Sequence, residues 1–384
     1  MRLLHTSDWH LGRTLHGESM LDAQAAFLEH LAEVIRAENV ELLVVSGDIY
    51  DRALPPVPAV TLLDEGLDQL LATGVQILLT AGNHDSAQRL GFGARRSARS
   101  GLHVRTGLHD ATTPLLLSDE HGHLACYGIG YLEPAVLAAE FGCARSHQAV
   151  LGTALAQVRA DLAERGTPRS LVAAHAFVSG AEPTDSERDI RVGGVDRVPV
   201  TLLEGFDYAA LGHLHRPQTL TDAARYSGSP IAYSFSEAGQ VKGSWLVQVG
   251  KPGTSPEAEF IPAPVQVPLA RLRGTLADLL TDPAHRHAEQ AYCQVVLTDT
   301  ERPRAPMERL RRRFPRTLSM SFEPAGMPDP TAPVPVSPAA GSGLDDESLC
   351  CSFFAGVRGH SVSPEERRLI QQAVEAARLA EAAE

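Results

Sequence analysis

Five short segments, in chain order, concentrate the side chains able to do chemistry: Asp8 and His10, Asp48 with Asp51, Asn83-His84-Asp85, His175, and His213 with His215. Singly they are weak signals. An Asp-x-His at a strand end is usually a turn or a satisfied polar pair, and one buried histidine is more often a hydrogen-bonded core residue than a ligand. Together they supply carboxylate, amide carbonyl and imidazole donors without a thiolate. That donor set favours octahedral, borderline-hard ions, Mn²⁺ first with Mg²⁺ and Fe²⁺ as alternatives, over a thiolate zinc site. Two positions apart on an extended chain, Asp8 and His10 are expected to project to one side, as are His213 and His215. Each such pair reaches one ion or straddles two.

The segments are placed by what precedes them. Leu42–Ser46, Gln76–Thr80, Leu171–Ala174 and Asp207–Leu211 read as buried strands. Helical spacing links Phe27, Leu31 and Val34, then Val60, Leu63, Leu67 and Leu70, then Leu151, Leu155, Val158 and Leu162. Strands alternating with helices predict an α/β layered domain to about residue 250, and the unusual polar residues fall just after strands end, where α/β folds place ligand sites.

The series D-x-H, G-D-x-x-D, G-N-H-D, H and G-H-x-H resembles the calcineurin-like metallophosphoesterase superfamily. The resemblance implies a four-layer β-sandwich core flanked by helices, and two metals per chain. Asp8, His10 and His215 would hold one, Asn83, His175 and His213 the other, and Asp48 would bridge them. It further implies that His84 protonates or stabilises the leaving oxygen, with Asp51, or its neighbour Asp85, orienting the ring. The longer segments His5–Gly17, Gly47–Pro56, Ser186–Pro199, Leu211–Gln218 and Tyr226–Gly243 narrow the match to the SbcD-type nuclease family. That family implies a manganese-dependent exonuclease on double-stranded DNA ends, an endonuclease on single strands and hairpins, an SbcC-type ATPase partner, and a homodimer. A phosphatase or cyclic-nucleotide phosphodiesterase shares the metal motifs and is the alternative, although Gly47-Asp-Ile-Tyr-Asp-Arg-Ala53 lacks the form familiar in protein phosphatases. A scaffold that lost its metals should lack a ligand, and none is missing.

The expected domains are 1–260 for the nuclease, 261–325 for a small α/β cap, 326–348 for a Pro-rich linker, and 349–384 for a helical module that binds the ATPase. Ser363-Pro-Glu-Glu366 opens the last helix as an N-cap Ser, a first-turn Pro and a capping-box Glu. The run Arg309, Arg311, Arg312, Arg313 and Arg316 is either a solvated helix face or a DNA-phosphate contact. Arg13 and His16 are likewise either phosphate contacts or a surface turn.

Composition sets the outer limits. The 384 residues, 43% hydrophobic, exclude a wholly disordered chain. With 34 Lys plus Arg against 47 Asp plus Glu, the net charge of −13 excludes nucleic-acid binding by bulk charge, so phosphate chemistry must rest on local cations. Five cysteines without a C-x-x-C pair suit reduced thiols in the cytoplasm. No apolar run approaches the ~18 residues of a membrane span. A soluble cytoplasmic protein without membrane contact is expected.

Overall fold

The computed structural model describes residues 1–166, 169–187, 197–324, 346–358 and 361–381. Two compact units divide the chain: Met1–Ala270 with Gln290–Tyr292, and Arg271–Glu289 with Cys293–Glu384. In the first unit, one six-stranded sheet runs Glu257–Pro262, Gly243–Gln248, Arg2–Thr6, Leu42–Ser46, Gln76–Thr80, Leu102–Arg105 in spatial order. The other runs Gln218–Thr219, Ala224–Tyr226, Tyr208–Gly212, Arg169–His175, Gly122–Ile129, Leu115–Asp119.

Alternation along the strands builds the layers, because successive side chains leave opposite faces of a sheet. Leu43, Val45, Ile77 and Leu79 face outward onto Phe27 and Leu31 of helix Leu21–Glu38 and onto Leu63 and Leu70 of helix Val57–Leu71. Their neighbours Leu42, Val44 and Leu78 face inward, where they meet Cys126, Leu171, Ala173 and Ala210 of the second sheet. The far face of that sheet, through Tyr127, Val172, Ala174 and Leu211, packs on Leu151, Leu155 and Val158 of helix His147–Arg165. The result is helix, sheet, sheet, helix. Strands buried on both faces need continuous apolar runs, and these strands have them. Leu42–Ser46 and Gln76–Thr80 form as expected, while Leu171–Ala174 extends to Arg169–His175 and Asp207–Leu211 shifts by one residue to Tyr208–Gly212.

His5 lies between the sheets as a structural histidine. Its Nε2 donates to the Leu211 carbonyl at 3.2 Å and its Nδ1 meets the Tyr208 hydroxyl at 2.9 Å, so the neutral ring is satisfied at both nitrogens. Burial pushes its pKa down from the ordinary 6.5 to about 3. Between those values the unfolded chain binds a proton that the folded chain refuses, so stability falls as pH falls through this window, by up to about 1.4 kcal/mol per pH unit. We expect denaturant melts of His5→Gln to lose one proton of this acid slope relative to the parent. Equal slopes would remove His5 from the acid response.

The first unit runs to Ala270, past the expected boundary at 260. Strand Glu257–Pro262 pairs antiparallel with Gly243–Gln248 and forms an edge of the first sheet. Its terminal proline is tolerated because an edge strand has a side without a ladder. In the second unit, parallel strands Tyr292–Leu297 and Thr317–Phe322 join Leu269–Gly274 in a three-stranded sheet, with helix Pro306–Arg313 as the crossover.

Of the expected linker, residues 326–345 lie outside the described residues. Helices Asp346–Arg358 and Pro364–Glu381 follow. The capping box at the second is formed: Ser363 N donates to Glu366 Oε2 at 2.8 Å, and Glu366 N donates to Ser363 Oγ at 3.3 Å. Leu349, Phe353 and Leu369 are more than half exposed, at 51%, 62% and 65%. No described helix is long and apolar enough to cross a membrane. All five cysteines are free thiols.

Candidate metal centre

Every polar segment singled out above falls at the C-terminal end of a strand. Asp8 and His10 follow Arg2–Thr6, Asp48 follows Leu42–Ser46, Asn83 and His84 follow Gln76–Thr80, His175 ends Arg169–His175, and His213 and His215 follow Tyr208–Gly212. Both sheets therefore contribute. Among the described residues, ligand atoms within 4.8 Å of one another group as Asp8, His10 and His215, as His10, Asp48 and His84, and as Asp8, Asp48 and His175. Asn83 Oδ1 joins them to His213, whose Nδ1 lies 3.2 Å away.

The i, i+2 pairs converge, but not on extended chain. Asp8, His10, Asp48 and His213 have φ of 54°, 45°, 52° and 106°. An L-residue rarely adopts that left-handed region, and strain of this kind persists only where the surroundings over-determine it. Here they do. Asp8 N donates to Gly47 O at 3.0 Å, His10 N to Asp48 O at 3.0 Å and Leu11 N to Ile49 O at 2.9 Å, zipping the two loops together. His213 N donates to both Asp8 carboxylate oxygens at 3.1 Å, joining the loops of the two sheets.

Glycines make the close approach achievable. A Cβ on Gly82 would lie 2.1 Å from Asp48 Oδ1, and one on Gly212 would lie 1.9 Å from the Ser46 carbonyl oxygen.

Two contacts test whether these residues fit metal ions. His175 Nδ1 meets Ser46 O at 2.9 Å, and since a carbonyl only accepts, Nδ1 carries the proton and Nε2 is a lone pair. That lone pair faces Asn83 Oδ1 at 2.9 Å, while Asn83 Nδ2 is buried without a hydrogen-bond partner. In the second contact, His10 Nε2 and His215 Nε2 stand 3.0 Å apart, with His10 Nδ1 buried and unpartnered. In the first contact two acceptors face each other, which repel in isolation and suit a shared cation; in the second, two imidazoles share at most one proton between facing nitrogens. The residues fit divalent metals of the oxygen- and nitrogen-binding class.

Electrostatics agree. Burial, reinforced by Asp48, holds Asp8 well above the usual carboxylate range, and burial raises Asp48 to about 6. Burial lowers His175 to about 4, and burial with neighbouring His215 and Arg13 pushes His10 well down. Neutral imidazoles beside carboxylates starved of a counter-charge are ready to accept cations.

His84 borders this cluster, its ring edge-on to His10 at a centroid distance of 4.7 Å. Its N–H donates to Asp48 Oδ1 at 2.8 Å. Its ring is oriented differently from expectation: Nδ1 bonds the main-chain carbonyl of Asp51 at 2.7 Å, not a carboxylate. The Asp51 carboxylate lies 3.8 Å from His10 Nδ1 and 3.7 Å from Arg13 Nε instead. Asp85 is occupied with the N–H groups of Ile49, Tyr50 and Gly82, which makes it a clamp on the turn.

Arg13 has protein partners: Nη2 donates to Ser186 O at 2.6 Å and the guanidinium lies over the Tyr233 ring at 5.1 Å. His16 is exposed and lies against Phe235, ring centroids 5.3 Å apart. Arg311 and Arg312 belong to the second unit, where Arg311 Nη2 donates to Thr317 O at 3.2 Å and exposed Arg312 pairs with Glu308 at 3.0 Å. Residues 188–196 of the expected Ser186–Pro199 motif lie outside the described residues.

Supporting residues went unread in the sequence. Buried Gln24 donates from Nε2 to His10 O at 2.8 Å and accepts at Oε1 from Gly12 N at 3.0 Å, bracing the first loop. Ser186, Glu187, Glu237 and Lys242 surround His215. The last four sit inside segments already singled out as family-specific, and that membership was the available signal.

The family model described as calcineurin-like phosphoesterase matches residues 1–217, and one described as type 5 capsule protein repressor C-terminal domain matches 265–333. A curated relative, the SbcD subunit of nuclease SbcCD from Staphylococcus saprophyticus subsp. saprophyticus, is 28% identical over 376 residues, 97% of this chain and 97% of that protein. Among solved structures, a dimetal phosphatase from Danio rerio matches 69% of this chain and 99% of its own at 15% identity and TM-score 0.39. The TT1561 protein of Thermus thermophilus matches 67% and 98% at 12% identity and TM-score 0.39.

Proposed function

Since the chain belongs to the calcineurin-like phosphoesterase family, we propose that it is a two-metal DNA nuclease, acting on duplex ends, single strands and hairpins with an SbcC-type ATPase. The observation that carries this reading is the convergence of seven donor side chains from two sheets on one buried point, with His84 at its edge. The full-length likeness to a protein named as part of a nuclease supports DNA over a small phosphoester.

Asp8, His10 and His215 are assigned to one ion, Asn83, His175 and His213 to the other, and Asp48 to both, with Mn²⁺ as the metal suited to the donor set. Bound there, two divalent ions supply an activated water at neutral pH and neutralise negative charge developing at phosphorus. The chain's own residues do the rest. Asp51 O accepts from His84 Nδ1 and so fixes the ring, and it is the imidazolium, protonated at both nitrogens, that would hand the Nε2 proton to the departing oxygen and be left neutral at Nε2. Asp85 and Gln24 hold the loops that carry Asp48 and His10.

End-labelled duplex DNA and a phosphomonoester, each with and without Mn²⁺, decide between the nuclease and its phosphatase alternative. Stepwise, Mn²⁺-dependent shortening of the DNA is expected. Monoester turnover over intact DNA would move the protein to the phosphatases.

Two associations are part of the proposal. Helices Asp346–Arg358 and Pro364–Glu381 are assigned to the ATPase, supported by their exposed Leu349, Phe353 and Leu369. A second copy is assigned to the start of helix Val57–Leu71, where Leu54, Val57 and Val60 are 71%, 77% and 44% exposed. In sedimentation runs, the double variant Leu54→Asp, Val57→Asp is expected to abolish only the homodimer, and Leu349→Asp, Phe353→Asp only the complex with the cognate ATPase. Survival of either association in its own variant would refute that assignment.

A further inference from the structure

His215 is braced by a chain of buried polar groups that the proposed reaction does not use. Glu237 and Lys242 form an ion pair in which both residues are nearly inaccessible, at 1% and 6% exposure. A buried pair of this kind is retained at a desolvation cost and is weak evidence for stability in itself. The remaining contacts of the pair converge on one histidine. Lys242 Nζ donates to the His215 carbonyl at 2.7 Å and to Ser229 Oγ at 3.2 Å. The other Glu237 oxygen accepts from the Ser186 hydroxyl, and the same hydroxyl oxygen lies 2.5 Å from His215 Nδ1. On the backbone side, His215 N donates to Glu187 Oε1 at 2.7 Å.

Proton counting gives this chain a direction. Glu237, ionised against the Lys242 ammonium, can only accept, so the one hydroxyl proton of Ser186 goes to it. Thr184, also next to Ser186, directs its own hydroxyl proton to Glu187 Oε2 at 2.8 Å. Ser186 Oγ is then left only with lone pairs for the imidazole. His215 Nδ1 must be the donor, and Nε2 must be the bare nitrogen, which is the atom facing His10 Nε2.

We propose that Ser186, Glu237 and Lys242 are positioning residues that lock His215 in its Nδ1–H tautomer, so that Nε2 is presented to the metal before any metal arrives. The inference rests on the metal-site reading above. It also explains why the ion pair is buried beside the site: it sets the proton's place two hydrogen bonds away, as a ligand histidine requires of the group behind it. His175 reaches the same tautomer by a simpler route, through the Ser46 carbonyl.

The test uses the full-length chain with ¹⁵N-labelled histidine, metal-free, reading ring-nitrogen protonation by NMR, with His215→Gln identifying the His215 resonances. Calorimetric Mn²⁺ titration and thermal melts accompany it. The wild type is expected to show His215 protonated at Nδ1 and bare at Nε2. Ser186→Ala is expected to mix the two tautomers and weaken Mn²⁺ binding by about 10–100-fold, the scale of lost support behind a metal ligand. Ser186→Thr, which keeps the hydroxyl, should restore both. Glu237→Gln, whose amide can donate to Ser186 and free its proton, should mix the tautomers as Ser186→Ala does, and serves if that variant fails to fold. A wild-type His215 protonated at Nε2, or variants that lower the melting temperature with tautomer and Mn²⁺ affinity unchanged, would overturn the proposal. If the wild type bound no Mn²⁺ at all, the metal reading would fall while the tautomer result stood by itself.

Discussion

Replacing His84 with Gln is expected to slow DNA cleavage by about 10²–10⁴-fold, the span attributed to a positioned proton donor, with Mn²⁺ affinity unchanged. The ring is held at Nδ1 by the Asp51 carbonyl and the backbone N–H by Asp48 Oδ1, so position and orientation are fixed independently of any ion. Leaving-group dependence makes the result diagnostic. The nitrophenolate of a nitrophenyl phosphodiester departs as a stable anion and needs no proton, so the variant should retain far more of its activity on that substrate than on DNA. One competing role is visible in the geometry, since His84 also lies within ligand range of His10 and Asp48. Loss of one Mn²⁺ from the variant, with both substrates slowed alike, would make His84 a ligand and end its assignment as proton donor.

A second large effect is expected from a single methyl group that brings no chemistry of its own. In Gly212→Ala the new Cβ would meet the Ser46 carbonyl oxygen at 1.9 Å and His175 Nδ1 at 3.0 Å. The nearer obstacle is main chain, so no rotamer change relieves it, and the two sheets must separate at their ligand-bearing ends. Overpacking of this kind costs about 1–3 kcal/mol, and here it also displaces the carbonyl that sets the His175 tautomer. Melting temperature and Mn²⁺ affinity should fall together. Gly239→Ala, where no atom lies within 4 Å of the added carbon, is the control. Indistinguishable behaviour of the two variants would show that the approach at Gly212 is not needed.

How much of this was legible beforehand follows from the range of each signal. The donor residues stood out because each motif is short and sits directly after an apolar strand, so one stretch of chain carries both the ligand and its placement. The conformation of those ligands did not. Left-handed φ at Asp8, His10 and Asp48 is imposed by hydrogen bonds between two loops that lie far apart along the chain, and local spacing carries no trace of them. The orienting group for His84 was misread for a related reason: the residue Asp51 was found, but carboxylates draw attention and its main-chain oxygen does not. Gln24 and Lys242 act from a helix and from just before a strand whose patterns look ordinary, and only the folded chain brings them against His10 and His215. The boundary expected at 260 falls inside an edge strand, Glu257–Pro262, whose place in the sheet is set by pairing with Gly243–Gln248 and not by its own residues.

The meeting of the two sheets at their C-terminal ends has a thermodynamic side. Asp8, His10, Asp48 and Asn83 are carried by one sheet and His175, His213 and His215 by the other, so the complete ligand set exists only when the sandwich is shut. Whatever binds the closed form alone adds its binding free energy to folding, in proportion to the logarithm of its concentration over its dissociation constant. A cation held by this ligand set would thus add to the equilibrium stability of the fold, and a chain that has not closed its two halves lacks the complete set.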